Sequence, residues 1–73
     1  MKLSDHIEIN AGKRFGRPVI KGTRITVGDV LNWLANGMST QDIMADFPEL
    51  SEIQIMACLH YAASREQQLR VAS

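Results

Sequence analysis

Three helix-start signals follow one another in the middle of this chain. Thr26-x-x-Asp29, Ser39-x-x-Asp42 and Ser51-x-x-Gln54 each place a hydroxyl three residues before a carboxylate or amide. That spacing lets the two side chains cap each other's backbone N–H groups at a helix N-terminus. An apolar stripe follows each signal: Val30, Leu31, Trp33 and Leu34; then Ile43, Met44 and Phe47; then Ile53 onward. Gly37 stands where the first helix needs a left-handed residue to end it, and Pro48 cannot continue the second. The third helix is predicted to run to about Leu69. Connections this short force the helices to pack on one another. The prediction is a mainly α chain with a trihelical unit of helix-turn-helix type. The same pattern also suits a small helical bundle that binds no nucleic acid.

The stretch ahead of the helices reads differently. Ile7-Glu8-Ile9 alternates as a short half-buried strand does, and Asn10 to Lys13 is turn-like. Arg17 to Ile20 suits a second strand, with Pro18 near its start, where a missing N–H is tolerated. Lys21-Gly22-Thr23 is a turn, because Gly22 accepts positive φ. The Thr23 hydroxyl is placed to orient that turn. Together these make a short N-terminal β-hairpin.

Charge separates along the same boundary. Formal net charge is zero over 73 residues. Residues 1–26 carry six cations against two carboxylates, a balance of +4, and residues 27–73 carry two against six, a balance of −4. The chain therefore divides into a basic hairpin segment (1–26), a trihelical unit (27–63) and a C-terminal tail (64–73), all within one domain. Basic extended segments of this kind contact nucleic acid or a partner's acidic site. The bland reading is a solvated surface.

A core this small usually needs help. Cys58 is the only cysteine, which excludes an internal disulfide or a cysteine-cluster zinc site, and His6 and His60 stand apart. No cofactor or metal is expected, and a homodimer is. No leader or membrane-spanning run is visible, and with the free thiol this predicts a cytoplasmic protein. Nothing resembles a phosphate-cradling glycine loop or a nucleophile motif, so no enzyme is expected.

The third helix fits poorly as a DNA reader. Its start holds Glu49, Glu52 and Gln54, with no cation before Arg65, and phosphates would repel it. Its middle, Ile53 to Ala63, is apolar nearly all round and reads as a central core or dimer helix. Trp33 and His60 are expected in the core, or for His60 at an interface.

At Gly16-Arg17-Pro18-Val19-Ile20-Lys21-Gly22-Thr23-Arg24-Ile25-Thr26-Val27 the chain resembles the signature of the prokaryotic family called domain of unknown function 433. Asn36-Gly37-Met38-Ser39, Asp42-Ile43, Phe47-Pro48-Glu49-Leu50-Ser51 and the segment Ile53 to Ala62 fit as well, so the likeness covers about residues 5 to 63. Asn10-Ala11-Gly12 departs from the family's usual Asn-Pro-Gly, and Lys13-Arg14-Phe15 occupies a variable stretch. The resemblance implies a homeodomain-like trihelical fold and a VapB-like antitoxin of a type II toxin–antitoxin pair. Its partners would be a PIN-like nuclease toxin and operator DNA. The DNA candidates are Arg17, Lys21 and Arg24, with Arg14 just before them and Thr23 in the turn. One of the first three could instead pair with Asp29 or Glu8. An inhibitor can fill a carboxylate-lined nuclease site with a guanidinium. The toxin-binding candidates are therefore Arg65, Leu69 and Arg70 on the tail, against the plain reading of a frayed helix end. A dimeric protein-interaction module without DNA contact is the alternative.

Overall fold

In the computed structural model, which describes residues 2–69, the chain runs strand, strand, helix, helix, helix, and it is mainly helical. Strand β1 is Ile7–Ile9 and β2 is Pro18–Ile20. They pair antiparallel in the register Ile7↔Ile20, Glu8↔Val19 and Ile9↔Pro18. Pro18 sits at the start of β2, where it was expected. The turn after β2 holds Gly22 at φ 81°. Thr23 orients it in two ways: its hydroxyl donates to the Ile20 carbonyl at 2.9 Å and accepts from the Ile25 N–H at 3.0 Å. The returning chain bridges β2 at Val19↔Thr26, so the hairpin leads straight into the first helix.

Helix α1 is Val27–Ala35, α2 is Thr40–Asp46 and α3 is Glu52–Leu69. Thr26 with Asp29 and Ser39 with Asp42 form complete reciprocal capping boxes. At the third start the Gln54 amide oxygen accepts from the Ser51 N–H at 2.8 Å. Helix α1 ends as its sequence predicts. Gly37 is at φ 95°, its N–H reaches the Leu34 carbonyl, and the Met38 N–H reaches that of Trp33. These are the two bonds of a Schellman motif.

One core gathers both parts of the chain. Ile7 and Ile20 from the strands meet Val27 and Val30 of α1, Ile43 of α2, Leu50, and Ile55, Ala57 and Cys58 of α3. Trp33 and Phe47 are half-buried against it and stack with ring centroids 4.3 Å apart. Desolvation pushes the Cys58 thiol up to about 11.

One expectation for α3 needs correction. Within one chain it buries a single face, and Ile53, Met56 and Leu59 on the opposite side stay exposed. His60 belongs to that outward stripe rather than to the core. A helix apolar all round still has only one set of neighbours in so small a fold. The end of α3 is where the sequence puts it. Helix α3 continues unbroken to Leu69, so the first part of the predicted tail is its last two turns.

Candidate functional site

The hairpin holds the cations, but it does not leave them all free. Lys13 pairs with Glu8 at 3.0 Å. The Arg14 guanidinium bonds the Asp29 carboxylate at 3.1 Å and donates to the Arg24 carbonyl at 3.0 Å. Arg14 is thus a tether between the loop and the start of α1. The pairing foreseen for Arg17, Lys21 or Arg24 falls to Lys13 and Arg14 instead. Arg17, Lys21 and Arg24 are exposed and form no ion pair among the described residues. Lys21 reaches only the Ser4 carbonyl, at 3.4 Å. Thr23 is occupied by its turn.

Asp29 sits at the centre of this arrangement. Burial pulls its carboxyl up, but the Thr26 amide and hydroxyl and the Arg14 guanidinium outweigh that and hold it below its ordinary value. The exposed Asp42 is held low by the Ser39 amide and hydroxyl.

A second feature lies beside the hairpin. Helix α3 outruns the core, and its inner face continues past Cys58 through Tyr61, Ala62 and Arg65. Between this overhang, β2 and the first turn of α1 is a groove of about 610 Å³. Pro18, Val27, Leu31, Tyr61 and Ala62 make its apolar walls, and Arg17, Arg65 and Glu66 stand among its lining residues. The structure therefore brings together Arg17, a DNA candidate, and Arg65, a toxin candidate. Arg65 is exposed. The side chain of Leu69 and all of Arg70 lie outside the described residues.

Sequence reasoning missed Phe15. It is 99% exposed, on a loop where Arg14, Phe15 and Gly16 all have positive φ. An apolar residue between Arg14 and Gly16 in a turn-like stretch was the signal available. Among the described residues, no three His, Cys, Asp or Glu side chains are grouped to hold a metal ion. No helix there is long and apolar enough to cross a membrane.

Fold and site together define a small trihelical domain with a basic N-terminal hairpin and an apolar groove beside it. The chain belongs to the family described as "Protein of unknown function (DUF433)", which matches residues 7–62. It is similar to a DUF433 member protein from Anabaena variabilis ATCC 29413, known from a crystal structure at 2.00 Å. The TM-score is 0.82 at 27% identity, covering 90% of this chain and 65% of that one. Among curated proteins no match is found.

Proposed function

We propose that the chain is the non-enzymatic antitoxin of a toxin–antitoxin pair, a homodimer that binds operator DNA through its hairpin and a PIN-like nuclease toxin directly. The observation that carries the DNA contact is the exposed trio Arg17, Lys21 and Arg24, left without acidic partners among the described residues while Lys13 and Arg14 are neutralised. Unpaired cations of this kind neutralise phosphates and release their counterions. The exposed Glu52 at the start of α3 and Glu49 in the turn before it argue against a recognition helix there, so the hairpin acts in the manner of a β-ribbon reader.

The test is a gel shift with the DNA upstream of the gene. The parent retards it, and neutralising Arg17, Lys21 and Arg24 together lowers affinity across all sequences tried. Unchanged binding by the triple variant removes the hairpin from the contact. For the toxin, a cut at residue 64 would sever α3, so substitution is the cleaner probe. Arg65→Glu weakens co-purification with the nuclease encoded next to the gene; an unaffected complex refutes a role for Arg65. The apolar groove favours a second reading, a dimeric interaction module that binds no DNA, and a parent protein that retards no upstream DNA supports it.

A further inference from the structure

Phe15 is the most exposed large apolar side chain among the described residues, at 99%. Its position is held against backbone preference. Arg14, Phe15 and Gly16 succeed one another at φ 48°, 60° and 78°, a region disfavoured for residues that carry a Cβ. The loop is nonetheless well tied. Arg14 bonds Asp29 and the Arg24 carbonyl, the Gly16 N–H donates to the Lys13 carbonyl at 3.0 Å, and the Arg17 N–H to that of Arg14 at 3.1 Å. Strain maintained by several tethers, with a phenyl ring as its product, marks a side chain displayed for contact.

The groove begins beside this loop. Arg17 and Pro18 line it, and Arg14 is anchored on Asp29, next to the groove-lining Gly28. Gly28 is the second residue of α1, where glycine weakens a helix. Its own fold does not require it: an added Cβ would meet only the Thr26 hydroxyl, at an ordinary 3.7 Å. The missing side chain leaves the groove open down to the backbone.

Ring and socket are neighbours on one molecule. A two-fold axis through this face satisfies both at once, each ring entering the other copy's groove. Charge is complementary in part: Glu66 of each copy can meet one arginine, Arg17 or Arg65, of the other. Any other protein would need its own socket for Phe15 and its own ridge for the groove. We infer that two copies of this chain associate in this way, Phe15 of each buried between Pro18, Val27, Leu31 and Tyr61 of the other. The inference rests on the proposed function only for the existence of a homodimer.

Sedimentation equilibrium across micromolar concentrations tests it. The parent is a dimer, and Phe15→Ser and Gly28→Leu each raise its Kd at least about 100-fold. Both keep the parent's circular dichroism and cooperative unfolding; Gly28→Leu adds atoms where the fold has room, so a dimer lost there is not a failure to fold. The two variants mixed in equal amounts associate more tightly than either alone, because one intact ring then faces one open groove. A monomeric parent, a Phe15→Ser protein with the parent's Kd, or a mixture no tighter than its components overturns the inference. So does a monomeric parent whose binding to upstream DNA depends on Phe15, which would assign the ring to nucleic acid. None of the supporting results involves DNA or toxin, so failure of those activities is read separately.

Discussion

Asp29 shows how much one atom can carry. Its Oδ2 accepts from both the Thr26 N–H and the Arg14 guanidinium, each at 3.1 Å. Helix start and loop are thereby joined through a single oxygen, and losses at positions 14 and 29 will not be additive. Phe15 is the opposite case, a residue whose local conformation opposes stability. Phe15→Gly removes a Cβ from the left-handed region and should raise stability by about 1 kcal/mol, measured by urea unfolding dilute enough to keep the chains monomeric. A loss of stability instead would mean that the ring has a role within its own chain. The Thr26–Asp29 half of this was legible in the sequence; the Arg14 tether and the conformation of Phe15 were not. Nothing in Lys13-Arg14-Phe15 announces positive φ at two non-glycine residues. The Arg14–Asp29 pair also spans fifteen positions, beyond any local spacing rule.

The elements themselves were legible, because their signals are local. Thr26 with Asp29, Ser39 with Asp42, Gly37 and Pro48 act within one helical turn, and each acts where its spacing predicted. The capping carboxylates also give the helices a pH dependence. Asp29 and Asp42 both have depressed values when folded. Their stabilisation is therefore complete above the unfolded value of about 4 and is lost as pH falls through the folded values. Urea midpoints should drop on acidification over that window. Asp29→Asn should cost about 1 kcal/mol at neutral pH and show a shallower acid dependence than the parent. An equally steep acid limb would place the proton-linked stability elsewhere. What sequence could not assign was the inner face of α3. Ile53, Met56 and Leu59 are as apolar as Ile55 and Cys58, and only the position of the hairpin and α1 decides which set is covered.

At the scale of the whole molecule, the division of charge between hairpin and helices was visible in the sequence, and the meeting of Arg17 with Arg65 at one groove was not. They are far apart along the chain and come together only because α3 extends beyond the core. If three hairpin cations contact phosphate, the log–log slope of affinity against salt should lessen by about 3 in the triple variant. A slope equal to the parent's would show that they contact none. The overhang has one more consequence. From Ala63 to Gln67 no side chain is buried and only Ser64 is half-buried, so the last turns of α3 have little tertiary support, and a weakly supported helix end is marginal in water. Deuterium uptake along α3 should accordingly be slow at Ile55 to Cys58 and fast from Ala63 onward. Anything that settles into the groove must slow that second group first, which makes the end of α3 a built-in reporter of occupancy that needs no label and no knowledge of what has bound.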